Sequence, residues 1–260
     1  MFRANLLKDR HALVTGASSG IGRHLAATLA RHGARVTLAA RRVDRIEAAA
    51  AEIAAAGGEA GATAMDVADR GAIEAAFDAA EDARGPLSIV VANAGVAIGE
   101  RAEEISEEAW DGLIDVNLKG VWLTNQAAGR RMMAHRAGGR IGGGAIVNTG
   151  SILGERVAPG VAPYAVSKAG VHQMTKALAI EWARHGIRVN ALAPGWFQTD
   201  INMDFFETEA GAATIKRIPM RRSGALPELE GALLLLTSDA GAYITGAVLP
   251  VDGGHLCSTL

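Results

Sequence analysis

The chain has a single cysteine, Cys257, in 260 residues. That excludes an internal disulfide and fits a reducing compartment. No His or acidic group of metal-ligand spacing surrounds Cys257, so an inert thiol is expected, and no metal is called for. Charge of one sign is also missing: the formal net charge is −2, which gives no electrostatic case for nucleic acid or an anionic membrane as partner. The basic cluster Arg130, Arg131, Arg136 and Arg140 is interrupted by Met and Gly and reads as a solvated face. Long apolar runs are absent. The segment MFRANLLKDRHALVTG lacks the apolar core of a signal peptide, and Leu233–Leu236 is too short to span a bilayer. A soluble, cytoplasmic protein is the expectation.

What is present suits one compact α/β domain over residues 1–260: 49% of the residues are hydrophobic and 21% charged. His11–Thr15 reads as a strand, and Gly16-Ala17-Ser18-Ser19-Gly20-Ile21-Gly22 as the turn after it. RHLAATLARHG then reads as an amphipathic helix closed by Gly33. Strand, glycine turn and helix in that order make the first half of a dinucleotide-binding βαβ unit. Glycine lets the backbone approach a pyrophosphate, whose charge the free N–H groups of the helix start attract. A second strand, Ala34–Ala40, ends without the acidic residue that would bind the adenosine ribose of NAD. Arg41 and Arg42 follow instead, and guanidinium suits a 2′-phosphate, so NADP(H) is favoured over NAD(H).

Further along, VDRIEAAAAEIAAAGG reads as a helix and Gly61–Val67 as a third strand. Asp66 either caps the next helix or accepts from an adenine amino group. A helix over RGAIEAAFDAAEDARG leads to a fourth strand that begins at Pro86–Val91. Asn93-Ala94-Gly95 follows it, on the edge where open α/β sheets bind ligands. Residues 103–126 carry a helical pattern in which Asn117 needs a partner if buried, as a backbone brace or as a holder of water in a proton path. Gly138–Gly144 precedes a strand, Ala145–Thr149, and so reads as a surface turn rather than a phosphate loop. Strands Ile187–Leu192 and Ala247–Val251, with a helix over Pro227–Ser238, complete the pattern. Residues 196–222 show no clean periodicity and carry Trp196, Phe197, Phe205 and Phe206. Such a segment suits a cover over a substrate, a helical hairpin on the core, or both.

The chemistry centres on Tyr164 and Lys168, four residues apart in a helical run and therefore on one face. An ordinary phenol has a pKa of about 10. A neighbouring cation favours the phenolate, which would fit Tyr164 for general acid/base work. Ser151 stands at the end of a strand, thirteen residues earlier, and topology brings it to the same crevice as a candidate carbonyl-binding hydroxyl.

These pieces together resemble the short-chain dehydrogenase/reductase family from about Leu7 to His255. The matching motifs are Thr15–Gly22, Asn93-Ala94-Gly95, Asn117, Ser151, Tyr164, Lys168, Pro194-Gly195 and Asp252-Gly253-Gly254. Ala92 departs from the second Asn that many members have before the triplet. The resemblance implies a Rossmann-type, doubly wound parallel sheet with helices on both faces. It makes Tyr164 the proton donor in carbonyl reduction and the acceptor in alcohol oxidation. Lys168 would bind the nicotinamide ribose, Ser151 the substrate oxygen, and Asn117 a water relay. Cofactor contacts are implied at Ser18, Ile21, Asp66, Val67 and Asn93, and near Pro194, Gly195, Phe197 and Thr199. A homotetramer or homodimer is implied as well.

The expected function is an NADP(H)-dependent reductase (EC 1.1.1.-) of a ketone or 3-oxoacyl compound, reversible as an alcohol dehydrogenase. The alternative is an NAD-dependent alcohol, sugar or hydroxysteroid dehydrogenase. A non-catalytic nucleotide-binding sensor is disfavoured, because it needs no intact set of Asn117, Ser151, Tyr164 and Lys168.

Overall fold

The computed structural model describes residues 5–199 and 203–258, with Asp204 and Phe205 described in backbone only. Seven strands form one parallel sheet: β1 (His11–Thr15), β2 (Arg35–Ala40), β3 (Glu59–Ala64), β4 (Ile89–Ala92), β5 (Gly144–Thr149), β6 (Ile187–Pro194) and β7 (Val248–Val251). Their spatial order is β3-β2-β1-β4-β5-β6-β7, and every recorded pairing is parallel. β1, β4 and β5 are buried throughout. They read as continuous apolar runs because helices cover both faces.

Alternation along each strand divides the core. Ala12 and Val14 of β1 face a cluster with Leu25, Leu29, Ile46, Ile53 and Leu233. These come from α1 (Gly20–Arg31), α2 (Val43–Ala55) and, further along the chain, α9 (Glu230–Thr237). Leu13 faces the other side, with Ile73, Phe77, Leu123, Met132 and Leu178. Those belong to α3 (Arg70–Arg84), α5 (Gly120–Ala137) and α6 (Ala162–Trp182). The order of strands reverses between β1 and β4, and a crevice opens there beyond their C-terminal ends.

Three local readings need correction. The helix expected over 103–126 starts at Glu107 as α4 (Glu107–Ile114), where Ser106 accepts from the Ala109 amide and two glutamates occupy the first turn. A π turn at Asp115–Lys119 joins it to α5, which ends at Ala137. The cap of α3 is Asp69, which accepts from the amides of Gly71 and Ala72; Asp66 instead accepts from the Ala68 amide in the preceding turn. The basic cluster is only partly a solvated face. Arg131 bonds Asp78 and Glu74 at 2.7 and 2.8 Å and lies over the Phe77 ring, which straps α5 to α3. Residues 196–222 contain α7 (Met203–Phe206) and α8 (Glu209–Arg217). Among the described residues no helix is long and apolar enough to cross a membrane.

Candidate active site

A cleft of about 650 Å³ occupies the crevice at the reversal point. One wall is the turn from Gly16 to Gly22. Gly16 has φ +65°, and a Cβ there would lie 2.7 Å from the Ala94 Cα. At Gly22 a Cβ would meet the Asn93 side-chain nitrogen and stand 2.5 Å from the Gly16 carbonyl oxygen. Glycine is therefore demanded by the close approach of the first and fourth strand ends. Thr15 locks that approach: its hydroxyl accepts from the amides of Asn93 (2.9 Å) and Ala94 (3.0 Å). The Asn93 amide in turn donates to the Thr15 carbonyl at 3.1 Å, and Thr149 donates to the Asn93 Oδ1 at 3.3 Å.

Several features fit an anionic dinucleotide. Ser19 stands at the start of α1 with no side-chain cap bond, and the turn before it lines the cleft. The amides of that first turn remain available to phosphate. At the end of β2, Ala40, Arg41 and Arg42 line the same cleft, and Arg42 donates to the hydroxyls of Ser18 (2.8 Å) and Ser19 (3.1 Å). Asp66 and Val67 form the adjoining wall.

At the opposite end lie Tyr164 and Lys168. Pro163 in the first turn starts α6, where a missing N–H loses nothing, and the two side chains emerge one turn apart. The Lys168 ammonium is 5.5 Å from the centre of the Tyr164 ring and donates to the Thr149 carbonyl at 2.8 Å. Burial lowers its pKa to about 8. Burial also raises the pKa of Tyr164, while a hydrogen bond with Ser151 pulls the other way. The expected acidification of the phenol by its lysine is thus not a property of the protein residues alone. In a low-dielectric site both groups resist charge: burial opposes the phenolate of Tyr164 and the ammonium of Lys168 alike in direction.

Ser151 lies behind this pair, its hydroxyl oxygen accepting from the Leu153 amide at 3.1 Å. Asn117 is fully buried on the π turn. It takes the Val96 amide and gives to the Val96 carbonyl, both at 2.8 Å, and its Nδ2 is 3.4 Å from the Ser167 hydroxyl. Of its two expected roles, the backbone brace is the one these bonds describe. It holds the chain after Gly95, where a Cβ would come 3.6 Å from the Lys168 nitrogen.

Placement differs from expectation at the end of β6. Thr199 lines the cleft beside Gly20, but Pro194, Gly195 and Phe197 do not. Pro194 pairs with Val251, and a Cβ on Gly195 would stand 2.8 Å from the Asp252 Cα. Phe197 bridges to Gly224, and its ring is 4% exposed within the core. An apolar ring beside a glycine that leaves room for it is better buried than held at a polar cofactor. Sequence reasoning named Thr15 as the start of the glycine motif but not as a brace, and passed over Met65, Thr149, Val96, Ala97 and Val116, all at the cleft or bracing it. Only Thr15 had a signal, as the hydroxyl residue immediately before Gly16.

Known proteins match this arrangement over nearly its whole length. The family model described as "Enoyl-(Acyl carrier protein) reductase" matches residues 16–255. Gluconate 5-dehydrogenase of Gluconobacter oxydans is 39% identical over 249 residues, 95% of each chain. The chain belongs to the short-chain dehydrogenase/reductase family. Galactitol 2-dehydrogenase (L-tagatose-forming) of Cereibacter sphaeroides is 42% identical over 247 residues, 94% of each chain. A solved gluconate 5-dehydrogenase from Burkholderia cenocepacia, in complex with NADP and tartrate, superimposes with a TM-score of 0.91 at 36% identity, covering 97% of each chain. As a family member the protein is an NAD(P)-dependent oxidoreductase that interconverts a carbonyl compound and an alcohol.

Proposed function

We propose that this short-chain dehydrogenase/reductase uses NADP(H) and reduces a ketone of a polyhydroxy compound to the secondary alcohol, reversibly. One observation carries the choice of cofactor. The second strand ends in Ala40 rather than a carboxylate, and Arg42 is fixed by Ser18 and Ser19 where an adenosine ribose would rest. A guanidinium there pairs with a 2′-phosphate, and no acid repels it. The substrate class follows the related dehydrogenases, whose names refer to gluconate and galactitol.

A dinucleotide held by the 16–22 turn, Arg42 and Lys168 would supply hydride chemistry when bound. The chain's own residues do the rest. The Ser151 hydroxyl hydrogen-bonds the substrate oxygen, and Tyr164 delivers a proton to it in reduction or removes one in oxidation. Lys168 places a buried ammonium beside that exchange and reaches the ribose. Asn117 holds the chain after Gly95 in place beside Lys168. Arg41 and Arg42, Asp66, Val67 and the 16–22 turn hold the adenosine end. The described residues of 196–222, with Thr199 on the cleft, cover the substrate, while 200–202 lie outside the described residues.

The test is a set of initial rates with NADP(H) and NAD(H). Gluconate and galactitol would be assayed in oxidation and a 3-oxoacyl thioester in reduction. Turnover of a polyhydroxy substrate with clear preference for NADP(H) is expected. Preference for NAD(H) would overturn the cofactor assignment, and turnover of the thioester alone would overturn the substrate class. The family resemblance also leads us to propose a homo-oligomer. Exposed Ile180 on α6 and Tyr243 before β7 are apolar surfaces for it to cover. A monomer by light scattering at micromolar concentration would contradict that.

A further inference from the structure

His172 lies one turn beyond Lys168 on α6 and is 5% exposed. Its ring fills a space left by two glycines of the Ser151 loop. A Cβ on Gly150 would collide with Nε2 and lie 2.7 Å from Cδ2, and one on Gly154 would lie 2.7 Å from Cε1. Gly150 and Gly154 bracket Ser151 and its 3-10 turn at Ile152–Gly154, so the ring is the floor of that loop. It is also bonded to it: Nε2 accepts from the Ser151 amide at 3.4 Å. The donor fixes the ring's proton state, because Nε2 can accept only when the proton is on Nδ1. Among the described residues Nδ1 has no hydrogen-bond partner, and the Glu155 carboxylate stands at 3.8 Å.

We infer that His172 is a positioning residue for the reaction, its Nε2 accepting the Ser151 N–H and so fixing the angle at which the Ser151 hydroxyl faces Tyr164. This rests on the reading of Ser151 as the group that takes the substrate oxygen. Ser151 is held at three points: its amide by His172, its oxygen by the Leu153 amide, and its hydroxyl against Tyr164. The Leu153 bond is local to the loop and moves with it. His172 holds the Ser151 amide from outside the loop, on the same helix that carries Tyr164 and Lys168, beside the 2.7 Å bond from the Gly150 amide to the Leu192 carbonyl. Charges around the ring support an uncharged imidazole. Burial, then Lys168 and Lys176, lower its pKa to about 4, and Glu155 from the loop is half exposed to solvent at 3.8 Å.

Replacing the acceptor leaves the Ser151 amide buried and unpaired, so the loop moves to satisfy it. A displacement of about 1 Å at a reacting group is worth up to about 100-fold in rate. His172→Leu should therefore lower kcat for gluconate oxidation about 10- to 100-fold, with little change in the Kd for NADP. His172→Gln, which can present an amide oxygen near the Nε2 position, should recover most of the loss. In a Ser151→Ala background His172→Leu should have almost no further effect. A full additional loss there would mean a merely structural role and would overturn the proposal. So would wild-type kcat in His172→Leu while Ser151→Ala is inactive. Full activity in Ser151→Ala would instead overturn the reading of Ser151. If the leucine variant does not fold, His172→Asn, too short to reach, replaces it. Independent of any substrate, ring 15N spectra assigned by loss of a signal in His172→Gln should show this histidine neutral at pH 7 with its proton on Nδ1. A proton on Nε2 would overturn the assignment.

Discussion

The two ends of the cleft are made of different material. The nucleotide end is backbone: glycines whose missing Cβ lets β1 and β4 approach, amides at the start of α1, and a threonine hydroxyl bonded to two more amides. The other end is side chains: Tyr164 and Lys168 on α6, with the Ser151 loop over His172. Backbone geometry tolerates few residues at each position and so leaves a fixed pattern in the chain. Side-chain geometry is satisfied in many ways. The comparison says that function at the first end is set by the fold and at the second by local packing.

The largest effect should come from breaking the backbone end. Gly22→Ala sets a methyl group 2.5 Å from the Gly16 carbonyl oxygen, so α1 and the turn before it must shift apart. Overpacking of this kind costs about 1–3 kcal/mol, and we expect a lower melting temperature together with loss of NADPH binding by fluorescence titration. Arg42→Ala is milder and selective. Charge-assisted hydrogen bonds are worth about 1.5–3 kcal/mol when well formed, less at an exposed site, so the KM for NADPH should rise about ten-fold with that for NADH nearly unchanged. In the segment we propose as the substrate cover, Trp196 meets Phe206 edge-on at 5.9 Å and ties the turn after β6 to α7. Trp196→Ala should raise the KM of the carbonyl substrate roughly two- to ten-fold, the value of such a pair, and spare the Kd for NADPH. A rise in that Kd would mean the two ends are not separable.

The smallest effect is on acid stability. His11 sits between the Gly85 carbonyl (2.7 Å) and Thr37 (2.9 Å), and burial lowers its pKa to about 4 from an ordinary 6.5. His172 is shifted in the same way. Between pH 6.5 and 4 the unfolded chain binds protons that the folded chain refuses, so stability is complete above 6.5 and falls as the pH drops towards 4. His11→Asn should flatten that slope in thermal melts and leave the melting temperature at pH 7 lower by its lost bonds alone.

What could be read in the sequence follows the same division. The strands from β1 to β7 were legible because each is a short apolar run after a glycine or a helix, and the doubly wound sheet was what the family resemblance implied. The 16–22 turn and the Arg41-Arg42 pair were legible for the same reason as the backbone end is rigid. Edges were harder. β3 starts at Glu59, two residues before its apolar part, because an edge strand is half exposed and shows weak alternation. The π turn that turns Asn117 inwards has no signature in DVNLK. The resemblance implied a cofactor contact at Phe197, and what the sequence did not show is that its ring packs in the core beside Gly224. His172 carried no signal in the chain at all; its meaning comes from Gly150 and Gly154, eighteen or more residues away.

The central claim is that Tyr164 exchanges the proton while the rest of the cleft holds the nucleotide. The direct measurement is Tyr164→Phe, assayed for turnover of the best substrate and for the Kd of NADPH in the same preparation. We expect turnover to fall by at least about 100-fold, the usual contribution of a positioned acid or base, with the Kd within a few-fold of wild type. Turnover at the wild-type rate, with NADPH bound as before, would contradict it.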